Sequence, residues 1–285
     1  MDSWQGSLAD YQHHETGLVT LMGPHTLIIL GSGYLGRFLA AEACSHGRAV
    51  LSTSREPDRR LRDVPSTQRL RFDLAQPDTW ATIPADADLV WCFPATAVEQ
   101  VQAFAKRLGA PPRRLVVLGS TSAYDGTEQS TVYPPPWIDE SAAVDLRKSR
   151  VQGEEYLRTR HGAMVLRVAG IYGPGRNPLD WIRSGRVGSS RRYVNLIHVE
   201  DLASICLLAL ETGKPGEVYN VSDGMPRTWA DICRVAQTRW AITAHSAGKD
   251  NRPGKRIDTR KLTEELGVRI QHLDLFTGLE ELGGP

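Results

Sequence analysis

Apolar positions along the chain fall into short unbroken runs separated by segments of helical period. TLIIL at 26–30 is continuous and apolar, and after a glycine turn YLGRFLAAEACSHG carries apolar residues at 35, 38, 39 and 43, which mark one face of a helix. Further runs follow at RAVLSTS (48–54), QRLRFDL (68–74), ADLVWCF (87–93) and RRLVVLGS (113–120), with the helical segment AVEQVQAFAKRLG between the last two. Strands that are apolar on both sides and alternate with helices belong in a parallel sheet covered on both faces. The pattern predicts an α/β fold of the Rossmann type, a doubly wound parallel sheet.

The texture changes near residue 125. GTEQSTVYPPPWIDESAA is polar and proline-rich, so Pro134–Pro136 reads as a loop. A helix is expected over 146–160, then a strand in AMVLRVAGIYG and a loop over GPGRNPLDWIRSGRVGSSRR. YVNLIHVE reads as a strand leading into the helix DLASICLLALETG, where Asp201 is placed to cap the first turn. A short strand EVYNVSD, a helix from near Thr228 and an amphipathic helix around DTRKLTEELG complete the chain. The expected organisation is an N-terminal extension over 1–25, a nucleotide-binding domain over 26–180, and a small C-terminal substrate lobe over 181–285 interleaved with the last elements of the sheet.

Charge and composition narrow the function classes. Lys+Arg 34 against Asp+Glu 33 gives a formal +1, so no net field draws the 285-residue chain to nucleic acid or to an anionic membrane. No apolar run approaches ~18 residues. The first 25 residues lack the basic and apolar regions of a secretory signal, which points to the cytoplasm. Cys44, Cys92, Cys206 and Cys233 are far apart with no C-x-x-C, and they read as core thiols in a reducing compartment. No metal site is expected, the pair His13 and His14 in the extension included.

The chemistry begins at GSGYLG (31–36), which fits G-x-G-x-x-G directly after a strand and at the opening of a helix. Gly31 would make the tight turn, Gly33 would let the backbone approach a pyrophosphate, and Gly36 would let the helix pack on the strand, with Tyr34 and Leu35 between them. At the end of the second strand, where an acid would hold a ribose 2′-hydroxyl, stand Ser54 and Arg55. A hydroxyl and a guanidinium both bind a 2′-phosphate, so NADP(H) is expected ahead of NAD(H). The alternative makes Arg55, Arg59 and Arg60 a solvated loop.

Together with FDL at 72–74, LGSTSAYDG at 118–126, LRVAGIYGPGR at 166–176, NLIHVEDLA at 195–203 and GEVYNVSDG at 216–224, this loop gives the chain from residue 26 onward a resemblance to the extended short-chain dehydrogenase/reductase superfamily. It resembles in particular the nucleoside-diphosphate-sugar epimerase/dehydratase-like proteins. The resemblance implies that Asp73 and Leu74 flank the adenine, and that Phe93, Pro94 and Ala95 line the diphosphate and ribose. It implies that Ser120, or failing it Thr121, orients the substrate, that Val168, Gly170 and Ile171 lie near the nicotinamide, and that Tyr172, Asn195 and His198 face the substrate.

The family's Tyr-x-x-x-Lys motif is broken. KSRVQGEEYL resembles the usual continuation of that motif and puts Arg150 at the lysine and Leu146 at the tyrosine, one helical turn apart. Arg150 can hold ribose hydroxyls but stays protonated, and leucine has no proton to give. Two readings follow. In the first the chain is an atypical enzyme whose acid has moved, the candidates being Tyr124, Tyr172, Tyr133, Asp145, Lys148 and His198. In the second it is a non-catalytic NADP(H)-binding sensor or scaffold. Arg183, Arg186, Arg191 and Arg192 offer a clamp for an anionic substrate such as a sugar nucleotide, or else a solvated loop. The substrate is expected to be a small molecule, anionic or sugar-like, and the family's habits suggest a homodimer joined through the helix at 146–160.

Overall fold

The computed structural model describes residues 25–84, 86–108, 112–126, 132–244 and 252–283. The expected N-terminal extension lies outside these residues except for its last position. The first half of the chain runs β1 (Leu27–Leu30), α1 (Tyr34–Ser45), β2 (Val50–Ser54), a single turn α2 (Pro57–Arg60), β3 (Arg69–Arg71), β4 (Asp88–Trp91), α3 (Val98–Arg107) and β5 (Arg114–Ser120). The second half runs β6 (Trp137–Ile138), α4 (Ser149–His161), β7 (Met164–Val168), β8 (Gly170–Tyr172), α5 (Pro178–Arg183), β9 (Tyr193–Val194), β10 (Leu196–His198) and α6 (Val199–Thr212). It ends with β11 (Val218–Val221), β12 (Arg227–Thr228), α7 (Trp229–Trp240), β13 (Arg256–Ile257), α8 (Arg260–Leu266) and α9 (Leu275–Glu281).

Seven strands form one parallel sheet in the order β11-β7-β5-β4-β1-β2-β3. The order reverses beside β1, where a doubly wound sheet opens its crevice. Both faces are covered, and β1 shows how the sequence arranges it. Leu27 and Ile29 enter one cluster with α1 and α6, whereas Ile28 and Leu30 enter another with α3 and α4, all four fully buried. A third cluster, with Tyr172, Leu179, Ile182, Ile232 and Leu275, builds the lobe at the carboxyl end of the strands. At the opposite end the fully buried Asp88 accepts from both Arg48 and Arg113.

Four expectations need correction. The helix expected from 146 begins at Ser149, because Asp145 ties up the residues ahead of it: its Oδ1 accepts from Arg147 N at 3.2 Å and its carbonyl from Lys148 N at 3.2 Å. Asp201 does not cap α6. His198 is the capping residue, and Asp201 instead accepts from Gln271 N at 2.8 Å and His272 N at 3.1 Å. The segment expected as a loop over 173–192 contains α5, whose Asn177 cap accepts from Leu179 N at 2.8 Å with Pro178 at the first helical position. Of the thiols, Cys206 and Cys233 are buried, but Cys92 is half-buried and Cys44 is exposed. Among the described residues no helix is long and apolar enough to cross a membrane.

Candidate functional site

Two cavities open at the carboxyl end of the parallel sheet. The first, of about 890 Å³, lies over the glycine loop. Gly31 follows β1 with φ +85, and a Cβ there would meet Phe93 Cδ1 at 2.7 Å, so the turn under that ring needs glycine. Gly33 has nothing within 4 Å of a would-be Cβ, and no side chain caps the amino end of α1. The first amides of α1 therefore have no capping side chain, the arrangement in which a helix amino end can accept an anion. A Cβ on Gly36 would come within 3.2 Å of Ile29 Cγ2, which fixes how closely α1 lies on β1. The loop is fastened to β2: Gly31 N donates to Thr53 Oγ1 at 2.9 Å and Ser32 N to the Thr53 carbonyl at 2.8 Å.

Tyr34, Ser54, Arg55, Asp73, Leu74 and Phe93 line this cavity, so most of the expected cofactor residues come together. Arg37, Arg59 and Arg60 join them, the latter two paired with Glu56 at 2.8 and 3.2 Å. Three residues expected here stand elsewhere. Leu35 is buried in the core. Pro94 points to solvent, and Ala95 is buried against α4, where any side chain on Gly153 would collide with the Ala95 carbonyl.

The second cavity, of about 620 Å³, lies at the ends of β5 and β7. Ser120, Thr121 and Ser122 form one wall, with Val168 and Gly170 beside them. Asn195, Tyr193, Trp229 and Lys255 close the other side. The amino-terminal turn of α4 stands between the two cavities: Ser149 Oγ is 2.9 Å from Thr96 Oγ1 in the first, and Arg150 donates to Ser122 Oγ in the second. Arg150 thus sits at the junction with one contact already made. Leu146 lies in the turn before α4 and is 56% exposed, so it and Arg150 do not share a helical face as expected.

The candidate replacement acids scatter. Tyr124 edges the second cavity, but its hydroxyl donates to Asn220 Oδ1 at 2.7 Å and accepts from Arg167 Nη1 at 2.9 Å, and burial raises its pKa. Tyr172 is fully buried in the lobe, and burial raises its phenol as well. His198 is stacked on His272 with ring centres 3.8 Å apart, and burial together with that neighbour pushes its pKa down to about 4. Ile171 packs into the core with α6. Asp145 is paired with Arg147 at 2.8 Å, and Tyr133 donates to the Arg191 carbonyl at 3.2 Å. Asn195 does reach the second cavity, where its amide holds the backbone of Lys255 and Ile257.

The expected arginine clamp is not assembled. Arg183 pairs with Asp180 at 2.7 Å, Arg186 lies over the Trp181 ring and Arg191 over the Tyr133 ring, and of the four Arg192 lines the cavity. Cations do reach that cavity from other segments, in Arg252 and Lys255. Sequence reasoning missed Arg37, Ser122, Asp125 and Lys255. Arg37 was within reach, since it follows Gly36 directly, but Lys255 meets Asp125 across 130 residues and has no local signal.

One buried group lies under the junction. Glu154 on α4 is 1% exposed, neither carboxyl oxygen has a hydrogen-bond partner among the described residues, and Arg150 Nε stands 4.0 Å away. Burial pushes its pKa up to about 7, against the pull of Arg150 and Arg167.

A parallel sheet in this order, a glycine loop on its first strand and a cavity beside α4 together match the fold of the extended branch of the short-chain dehydrogenase/reductase superfamily. No family model matches the chain. Among individual proteins, it is similar to Protein YeeZ of Escherichia coli strain K12, 27% identical over 275 residues that cover 86% of this chain and 96% of that one. A solved structure from Methylobacillus flagellatus, provisionally described as an NAD-dependent epimerase/dehydratase, is 27% identical with a TM-score of 0.72, covering 91% of this chain and 98% of the other. A short-chain dehydrogenase/reductase superfamily protein from Agrobacterium tumefaciens, solved with bound NAD, shares the fold at a TM-score of 0.74 with 13% identity, covering 90% and 96%.

Proposed function

We propose that the chain is an NADP(H)-dependent oxidoreductase or epimerase-like enzyme of the atypical short-chain dehydrogenase/reductase type, acting on a small anionic or sugar-like molecule. The observation that carries the proposal is the pair of adjoining cavities joined at the α4 turn, one over the glycine loop and one lined by hydroxyls and cations. The kinship with epimerase/dehydratase proteins supports a nicotinamide dinucleotide as the cofactor class. Such a cofactor, when bound, supplies the two-electron redox chemistry. The chain's own part is to hold the diphosphate at the bare amino end of α1 and the substrate oxygen at the Ser120 wall.

The preference for a 2′-phosphate rests on the cations around the end of β2. Arg55 stands beside Ser54, and Arg37 lies across the same cavity with its Nη2 donating to the Arg60 carbonyl at 3.3 Å. Glu56 neutralises part of Arg59 and Arg60, so the selective charge falls to Arg37 and Arg55. Titration with NADPH and NADH by nicotinamide fluorescence tests this directly. Equal or tighter binding of NADH would overturn it, and absence of binding by either would overturn the cofactor assignment. One observation favours the second reading, a cofactor-binding sensor: position 146 carries an exposed leucine and no acid. Consumption of NADPH, or epimerisation without net consumption, across a panel of ketoses and nucleoside-diphosphate sugars separates the two, since a sensor binds and does not turn over. The helix α4 is also proposed as a dimer face, to be checked by light scattering on the intact protein.

A further inference from the structure

The wall facing Ser120 carries an amine beside the phenol of Tyr193, and burial raises that phenol's pKa. Lys255 lines the substrate cavity with its side chain 21% exposed, and its ammonium is paired with the carboxylate of Asp125. We propose that Lys255 is the group that exchanges a proton with the substrate oxygen, with Asp125 and Lys148 as the residues that position it; this rests on the enzymatic reading above.

The placement is built from several segments. Asp125 closes the helical turn Thr121–Gly126 that continues β5, so the hydroxyl wall and the partner of Lys255 belong to one stretch of backbone. Lys148, just before α4, has its Nζ 3.6 Å from Asp125 Oδ2 and also donates to the Ser122 carbonyl. The carboxylate therefore stands between two ammonium groups. Lys255 itself is held in a strap across the cavity mouth. Tyr193 N donates to the Pro253 carbonyl at 2.9 Å, Asn195 Nδ2 to the Lys255 carbonyl at 2.9 Å, and Ile257 N to Asn195 Oδ1 at 3.0 Å. Gly254 has φ +75 and presses on the Tyr193 backbone, a close approach that only glycine permits.

The charged groups facing Lys255 are Asp125, Lys148 and Arg192. Burial lowers the lysine's pKa, Asp125 opposes that, and Arg192 and Lys148 add to it, with a net fall below the ordinary lysine range. An ammonium so placed gives up its proton more readily than a solvated one, whereas Arg150 never does. Tyr124 and His198 are committed to other partners, and Glu154 is 1% exposed and does not line the cavity. In the step assigned to Lys255 its N–H bond breaks and an O–H bond forms at the substrate oxygen. The neutral amine regains a proton from water at the open mouth, and no electrons change hands. The two-electron change at carbon belongs to the nicotinamide dinucleotide.

The test uses the intact protein reductively methylated with ¹³C-formaldehyde, with the Lys255 resonance assigned by its loss in Lys255→Arg. The expected result is a titration below that of the other lysines, moving lower still in Asp125→Asn. A Lys255 that titrates near the ordinary 10.5, or that ignores Asp125→Asn, would overturn the proposal without any substrate in hand. In the NADPH assay with carbonyl compounds, Lys255→Met is expected to keep NADPH affinity and to lose ~100-fold or more in kcat. Retained turnover overturns the role of Lys255 alone. Failure of the wild-type protein both to consume NADPH and to epimerise any compound of the panel overturns the enzymatic reading, and the proposal with it.

Discussion

Replacing Glu154 by glutamine isolates the cost of a buried charge beneath the junction of the two cavities. The carboxyl has no hydrogen-bond partner among the described residues, and Arg150 Nε at 4.0 Å is too distant to offset burial. Its pKa stands at about 7 in the folded chain against an ordinary 4.5. A raised acid binds more protons folded than unfolded across that window, so the stability it contributes at low pH is lost as pH rises through 7. At about 1.36 kcal/mol per pH unit the whole effect is roughly 3 kcal/mol, most of it between pH 5 and 8. Glutamine keeps the shape and does not titrate. Urea unfolding of wild type and Glu154→Gln at pH 5, 6, 7 and 8 should therefore show the variant gaining on wild type by about 2–3 kcal/mol from the lowest to the highest pH. The absolute offset depends on how the new amide is accommodated, but the slope does not. A difference that stays flat to within ~0.5 kcal/mol would mean that Glu154 ionises freely in the folded state, and the burial argument would be refuted.

Further outcomes follow from other contacts. Arg37→Ala and Arg55→Ala, singly and together, should weaken NADPH while leaving NADH within about twofold, by roughly 1 kcal/mol for each charge-assisted bond lost to a phosphate; equal losses for both cofactors would remove the 2′-phosphate assignment. Gly119→Ala would put a Cβ 2.9 Å from Glu154 Oε2 and 3.1 Å from Val165 Cγ1, and should cost about 1–3 kcal/mol by thermal unfolding. Asp88→Ala strands the buried Arg48 and should cost about 3–5 kcal/mol, visible as a large drop in the urea midpoint with little change in cofactor affinity.

Much of this architecture is legible in the sequence because its signals are local. β1, with all four residues buried, reads as a parallel strand, and the loop after it carries its glycines at the spacing its backbone demands. The misreadings occur where side chains override the periodic pattern. Residues 146–148 suit a helix, yet Asp145 bonds the backbone of Arg147 and Lys148 and delays α4 until Ser149. Asp201 looks like a cap by sequence, but the nearby amides of Gln271 and His272 claim it, and a contact across 70 residues leaves no trace in a window of ten. The same holds for the candidate site. The cavity over the glycine loop gathers residues that follow successive strands, which the order of strands already arranges. The amine facing Ser120 comes from a strap whose place depends on Asn195 and Tyr193, so only the folded chain brings Lys255 to Asp125.

The first turn of α4 carries a consequence for how the two cavities fill. Ser149 is tied to Thr96 on one side and Arg150 to Ser122 on the other, and both residues ride on the same rigid helical turn. A ligand that draws Arg150 toward a ribose must loosen its bond to Ser122, and a ligand that claims Ser122 frees Arg150. Occupancy of one cavity then changes the affinity of the other by a factor that is the same in both directions. On the proposed function these two adjacent residues would couple cofactor to substrate, and the order in which the two ligands bind is the property that would report it.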